Sequence, residues 1–198
     1  MTVRLVLATA NPDKLRELAA LLEDEFDVAP RPADMGEVDE TADTLEGNAR
    51  LKAEAVVAAT GEAALADDTG LEVDALGGRP GVYAARYAGP GATYADNVAK
   101  LLDELDGVPH QGRTARFRTV VVALFPHGGE IVAEGWVDGH IAEAARGTNG
   151  FGYDPVFVPD GGDGRTFAEM TTAEKGGVSH RGRALRALKA ELAGLFPR

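Results

Sequence analysis

Asp67 and Asp68 stand side by side in the run Ala66-Asp67-Asp68-Thr69-Gly70-Leu71, with short apolar stretches on either side. Adjacent carboxylates repel one another unless a cation or hydrogen-bond donors compensate them. Mg2+ is a natural partner, because it prefers oxygen ligands and commonly takes one or two carboxylates together with substrate phosphate. Mn2+ accepts the same donors. Glu40, in Asp39-Glu40-Thr41-Ala42-Asp43, offers a second carboxylate for such an ion. The same run also reads as an Asx turn that ends a strand, and both readings stand on the local sequence.

Thr9-Ala10-Asn11-Pro12-Asp13-Lys14 has the chemistry of a strand-to-helix turn. Backbone N–H groups at a helix start attract anions, and a lysine one turn in reaches the same phosphate. The alternative is a capped surface helix with a solvated lysine. The G-x-x-x-x-G-K-[ST] phosphate loop occurs nowhere in the chain. Lys52 and Lys175 matter only if the fold gathers them at a site, since an isolated lysine faces solvent. Ser179-His180-Arg181 puts two basic residues in the first turn of a helix, against the preference of the helix dipole. Phe151-Gly152-Tyr153-Asp154-Pro155 sets two aromatics and an acid in a glycine-dense loop, suited either to base stacking or to pinning the loop onto the core. His110, His127, His140 and His180 show no paired metal-ligand spacing.

These residues need elements to hold them. An apolar run from Val3 to Ala8 predicts a strand, and Asn11-Pro12-Asp13 predicts the helix start that follows, with Leu15, Leu18, Leu22 and Phe26 at helical spacing. A second helix is expected over about 45–59, capped by Thr44 and stopped near Gly61. Strands are expected at Ala64–Ala66 and Leu71–Leu76, on either side of the acidic run. Thr93 and Asp96 form a capping-box pattern ahead of a third helix with Leu101, Leu102 and Leu105 inward. Thr114–Phe125 and Glu130–Val137 are long strand candidates joined by the hairpin signal Pro126-His127-Gly128-Gly129. Ser179 caps a final helix whose inward stripe is Leu185, Leu188 and Leu192. With no repeat and no low-complexity linker, residues 1–198 read as a single α/β domain.

Composition narrows the functional classes. Lys and Arg number 20 against 32 Asp and Glu, a formal net charge of −12 over 198 residues. That argues against nonspecific nucleic-acid binding and against an anionic membrane surface. The absence of cysteine excludes disulfides, thiolate catalysis and thiolate metal sites. No apolar run approaches the ~20 residues of a membrane span, and the N-terminus carries no signal-peptide pattern, so a cytoplasmic protein is expected.

Taken in order, Thr9-x-Asn11-x-x-Lys14, Ala66-Asp67-Asp68-Thr69-Gly70-Leu71, Gly77-Gly78-x-Pro80-Gly81-Val82-Tyr83-x-Ala85-Arg86-Tyr87, Phe151-Gly152-Tyr153-Asp154-Pro155, Ala173-Glu174-Lys175 and Ser179-His180-Arg181-Gly182 form a series. The series closely resembles the inosine triphosphate pyrophosphatase family and covers essentially the whole chain. The resemblance implies an elongated α/β fold, a long mixed central sheet with flanking helices forming two lobes around a cleft. It implies a Mg2+-dependent homodimer that hydrolyses dITP, ITP and XTP to monophosphate and pyrophosphate, clearing deaminated purines from the nucleotide pool. Residue by residue, it implies that Asp68 is a metal ligand and proton acceptor and Glu40 a second metal-linked carboxylate. Thr9, Ala10, Asn11, Pro12, Asp13, Lys14 and Thr69 correspond to substrate-contacting positions, and Lys52 to a phosphate-facing lysine. Phe151, Gly152, Tyr153, Asp154, Lys175, His180 and Arg181 correspond to the base and sugar pocket. Thr69 stands where serine is common, and Ala10 where glycine often occurs.

The chemistry is compatible. A triphosphate brings about four negative charges, which an acidic protein must meet with focused cations such as Lys14, Lys52, Lys175 and Mg2+. Hypoxanthine and xanthine present a 6-keto acceptor where adenine presents an amino donor. Donors from His180, Arg181 or loop amides would therefore mismatch adenine, and guanine would have to be refused at its 2-amino group. The rivals are a Maf-type pyrophosphatase of other base preference, a noncatalytic nucleotide sensor and an acidic scaffold.

Overall fold

The computed structural model describes residues 4–195. Met1, Thr2 and Val3 lie outside the described residues, so the first strand is seen from Arg4. The chain is α/β, and its strands form a mixed seven-stranded sheet in the order β2-β1-β3-β5-β6-β7, with β4 on β3. The strands are β1 (Arg4–Leu7), β2 (Asp27–Pro30), β3 (Ala64–Val73), β4 (Pro80–Gly81), β5 (Thr114–Leu124), β6 (Glu130–Ile141) and β7 (Phe157–Pro159). The helices are α1 (Pro12–Leu22), α2 (Leu45–Thr60), α3 (Tyr94–Glu104), α4 (Thr172–Val178) and α5 (His180–Leu195). β1 runs parallel to β2 and to β3, whereas β3–β4 and β6–β7 are antiparallel.

The fold divides into two compact units. The first holds the residues up to Asp68, then Thr119–Gly135, and those from Arg181 onward. Its core joins Leu7 of β1, Leu18 and Leu22 of α1, Leu65 of β3, Val121 and Ala123 of β5, and Leu185, Leu188 and Leu192 of α5. The second holds Thr69–Arg118 and Trp136–His180. Leu71, Leu101, Leu105, Phe117, Ile141, Tyr153, Phe157 and Phe167 pack its core.

The helix starts follow the expected capping chemistry. Asn11 Oδ1 accepts from the amides of Asp13 and Lys14 at 2.9 and 3.3 Å. Thr44 Oγ1 accepts from Gly47, and α2 ends at Gly61 with φ +68°. Thr93 and Asp96 form the complete capping box. The hairpin strand β6 is longer than the sequence suggested and extends to Ile141.

One expectation is corrected. Asp67–Gly70 does not separate two strands: β3 runs unbroken from Ala64 to Val73, and the chain turns only at Asp74–Leu76, in a 3-10 helix. Buried cations compensate the acidic pair inside the strand, so no turn is needed to expose it. β2 and α4 are further elements that the apolar pattern did not reveal.

Candidate functional site

Register places the acidic pair. Val6 and Leu7 of β1 pair with Ala64 and Leu65, so Asp67 and Asp68 emerge just past the carboxyl end of β1. The turn from β1 into α1, which carries Thr9–Lys14, leaves from that same end. Outside the carboxyl ends of parallel strands is where open α/β sheets bind ligands. Strand alternation then sends the two carboxylates to opposite faces.

Asp67, 1% exposed, meets Lys14 Nζ at 3.4 Å and the Arg181 guanidinium at 2.9 Å. Arg181, itself 1% exposed, is held from another direction by Glu17 of α1 at 2.5 Å. Burial alone would raise the Asp67 carboxyl, but Lys14, Arg181 and Lys52 outweigh it and hold it well below the usual carboxylate range. Lys14 is pushed down by burial and by the cations Lys52 and Arg181, against the pull of Asp67 and Asp68.

Asp68 faces the other way. Its Oδ1 lies 2.9 Å from Lys52 Nζ, which also meets Glu40 Oε1 at 3.0 Å. Asn48 Nδ2 approaches Asp68 Oδ2 at 3.4 Å. Burial opposes the charge on Lys52, yet Asp68, Asp67 and Glu40 raise its pKa. Burial raises Asp68, with Glu40 reinforcing and Lys52 and Lys14 opposing. A carboxylate tuned upward is better matched to accepting a proton near neutral pH.

The donor set fits a hard divalent cation. Among the described residues no group of three or more His, Cys, Asp or Glu side chains is arranged to hold a metal. Asp68 and Glu40 nevertheless converge on one cation, the Lys52 ammonium, with an oxygen of each within 3.0 Å of it. Two carboxylates completed by phosphate oxygens are a common arrangement for Mg2+. Charge counting agrees. Asp67, Asp68, Glu17 and Glu40 carry four negative charges against the three positive ones of Lys14, Lys52 and Arg181, so these named groups offer a triphosphate no positive excess.

The remaining predicted residues divide by unit. Thr9 is buried, and its Oγ1 accepts the Asn11 amide at 3.2 Å. Ala10 and Pro12 are exposed, and Asn11 and Asp13 are half-buried. The Asp13 and Lys14 amides point at Asn11 Oδ1, and the cation this turn presents is the Lys14 ammonium. Thr69 follows on β3, half-buried.

In the second unit Asp154, 3% exposed, accepts from Lys175 Nζ at 2.6 Å and from the Phe151 amide at 2.8 Å. The Lys175 ammonium lies 5.1 Å from the Phe151 ring centroid. Gly152 turns the loop with φ +63°. Tyr153 is a core anchor whose hydroxyl donates to the Ala84 carbonyl at 2.9 Å, and burial followed by Tyr87 raises its pKa. His180 is buried and stacks on Phe117 with centroids 4.6 Å apart. Tyr153 thus pins the loop onto the core, while Phe151 stays partly exposed beside a cation.

Sequence reasoning assigned no role to Glu17 or Asn48. Each leaves a trace, a polar residue on an otherwise buried stripe: Glu17 beside Leu18 in α1, and Asn48 among Leu45, Ala49, Ala53 and Val56 in α2.

Residues 5–191 match the model of the Ham1 family. A dITP/XTP pyrophosphatase of Nitratidesulfovibrio vulgaris is 54% identical over 193 residues, covering 93% of each chain. One from Bacillus subtilis is 45% identical over 186 residues, 92% of this chain and 93% of its own. Among solved structures, a HAM1 protein from Coxiella burnetii superposes with a TM-score of 0.86 at 38% identity, over 98% of this chain and all of its own. A nucleoside-triphosphatase / dITP/XTP pyrophosphatase from Mycobacterium abscessus gives 0.73 at 45% identity, over 94% and 97%.

Proposed function

The chain belongs to the Ham1 family, and from that premise we propose that it is a nucleoside triphosphate pyrophosphohydrolase acting on dITP, ITP and XTP. The products are the monophosphate and pyrophosphate, and the role is cleansing of the nucleotide pool. The observation that carries the reading is the buried array of the first unit, Lys14–Asp67–Arg181–Glu17 beside Glu40–Lys52–Asp68. Four carboxylates and three cations in so little space are costly to bury without a ligand that uses them. Dedicated relatives named dITP/XTP pyrophosphatase support the substrate class.

Lys14 and Lys52 bind the phosphates. An anion brought to Lys14 favours the charged form that burial disfavours, so binding and protonation reinforce each other. Arg181 is committed to Asp67 and Glu17, and its part is to hold Asp67, which in turn aims Lys14. Asp68, raised by burial, takes a proton from the attacking water or orients it. Asp68 and Glu40 are the residues that would hold Mg2+ or Mn2+. Such an ion supplies charge neutralisation on the phosphate oxygens as pyrophosphate leaves.

Base selection is assigned to Phe151, Gly152, Tyr153, Asp154, Lys175 and His180. The supporting feature is the pairing of an aromatic face with a buried Lys175–Asp154 contact. The proposal takes residues 1–198 as one catalytic domain, working as a homodimer in the cytoplasm. Exposed side chains such as Tyr83 at 53% and Trp136 at 45% are of the kind a subunit contact covers, and light scattering tests it. Among the described residues no helix is long and apolar enough to cross a membrane.

The test is pyrophosphate release from ITP, XTP, GTP, ATP and dTTP, with Mg2+ and with EDTA, for the native chain and Asp68→Asn. Metal-dependent turnover of ITP and XTP, poor turnover of the others, and a loss of at least ~10^3-fold in the variant are expected. ITP binding without turnover would show a sensor, and a preference for dTTP a Maf-type enzyme.

A further inference from the structure

We propose that Asn48 is a positioning residue that fixes the Asp68 carboxylate and the segment bearing Glu40 relative to one another; the proposal rests on the reading of Asp68 and Glu40 given above. Asn48 lies on α2 with no exposed surface, between Leu45 and Ala49 on the stripe that packs inward. An amide on an apolar stripe is costly unless its donors and acceptor are met. Here the acceptor and one donor are met by two groups far apart in the chain. Asn48 Oδ1 accepts the Ala42 amide at 3.0 Å, and Nδ2 faces Asp68 Oδ2 at 3.4 Å. Chemistry fixes which end is which, because the Ala42 N–H requires an acceptor and the Asp68 carboxylate requires a donor.

The consequence for Asp68 is that its two oxygens are held by different side chains of one helix face. Lys52 takes Oδ1, and Asn48, four residues earlier, takes Oδ2. Rotation of the carboxylate would break one contact or the other. The ammonium contact is open to competition from substrate phosphate, whereas the neutral carboxamide is not drawn to phosphate in that way.

The consequence for Glu40 follows from its place two residues before Ala42. The Ala42 tether anchors the Glu40 segment to the first turn of α2. Gly47 gives independent support: a Cβ there would come within 2.6 Å of the Ala42 Cβ and 3.0 Å of Thr44 Oγ1. The helix start is thus shaped to let the Ala42 backbone lie against it, where Asn48 receives it.

Two variants separate the two contacts. Asn48→Asp keeps an acceptor for Ala42 and loses the donor to Asp68; Asn48→Leu loses both while keeping the branched shape. Each is assayed for kcat and KM with ITP, normalised to the folded fraction measured by circular dichroism. Each is also digested with a glutamyl endopeptidase that cuts after Glu37 or Glu40. The expected result is a fall in kcat of about tenfold or more in both, with KM for ITP within about threefold, because Lys14 and Lys52 still hold the phosphates. Cleavage after Glu37 or Glu40 accelerates several-fold in Asn48→Leu and stays near the native rate in Asn48→Asp. Native kcat in the folded variants, or native cleavage in Asn48→Leu, overturns the proposal. Asp68→Asn runs alongside: if it retains turnover, the reading of Asp68 itself fails, whatever Asn48 does. If it is inactive while the Asn48 variants match the native chain, only the positioning role fails.

Discussion

Asp67 shows how far one side chain depends on its surroundings. Burial opposes its charge, yet Lys14, Arg181 and Lys52 hold its pKa well below the ordinary value near 3.8. A carboxyl depressed in the folded state contributes stability that is complete above its unfolded pKa and is lost as pH falls through the folded one. Asp67→Asn removes that contribution and leaves Arg181 and Lys14 short of a buried partner, a loss of roughly 3–5 kcal/mol at neutral pH. For a chain of this size that corresponds to a fall in Tm on the order of 10 °C. Thermal scans at pH 7 and pH 2 check it: the gap between variant and native chain should narrow at low pH, because the unfolded chain's Asp67 carboxyl takes up a proton there while the folded one, held well below the usual range, resists it. A gap of equal size at both would show that the carboxylate charge is not what matters there. This residue also marks the limit of what the sequence discloses. Asp67-Asp68 is visible as a site because two adjacent acids demand compensation. Which acid meets which cation is not, because Arg181 lies more than a hundred residues away and only strand alternation decides the faces.

At the scale of elements, capping was legible because it is local: Asn11, Thr44 and Thr93 each bond to amides two or three residues on. The continuity of β3 was not, since Asp67–Gly70 carries turn residues and is held extended by partners on α1, α2 and α5. The short helix α4 was hidden by Gly176 and Gly177, which have poor helix propensity and are compensated by a Thr171–Glu174 capping box. The loop bearing Phe151–Asp154 is another case where local sequence shows the residues but not their support. Gly147, at φ +81°, lies so close to Ala168 that a Cβ would collide with that carbonyl and approach Glu169 N within 2.6 Å. The amides of Thr148 and Asn149 both donate to the Ala168 carbonyl, at 3.1 and 3.0 Å. Gly147→Ala should therefore cost both left-handed strain and the displacement of that backbone, about 2–5 kcal/mol together. Gly161→Ala, with φ +73° and open space around it, should cost only the strain, about 1–2 kcal/mol. Urea midpoints measure the contrast, and KM for ITP should rise in the first variant alone. Equal midpoints would mean that the Ala168 contact yields freely.

For the molecule as a whole, the formal charge of −12 sets the long-range field that an incoming nucleotide meets. On the proposed function, Lys14 and Lys52 attract phosphate only at short range, because the carboxylates of Asp67, Asp68 and Glu40 lie beside them. The two effects separate by ionic strength. At 0.01 M salt the screening length is about 30 Å and the acidic surface repels a triphosphate before it reaches the site. At 0.15 M it is about 8 Å, and only the immediate surroundings are felt. Raising monovalent salt from about 0.01 to 0.15 M at fixed free Mg2+ should therefore increase kcat/KM for ITP, by about twofold or more where encounter limits the rate. A basic, steering surface would give the opposite slope. A several-fold decrease over this range would show that the lysines govern encounter despite their acidic neighbours, and that the net charge has no bearing on substrate capture.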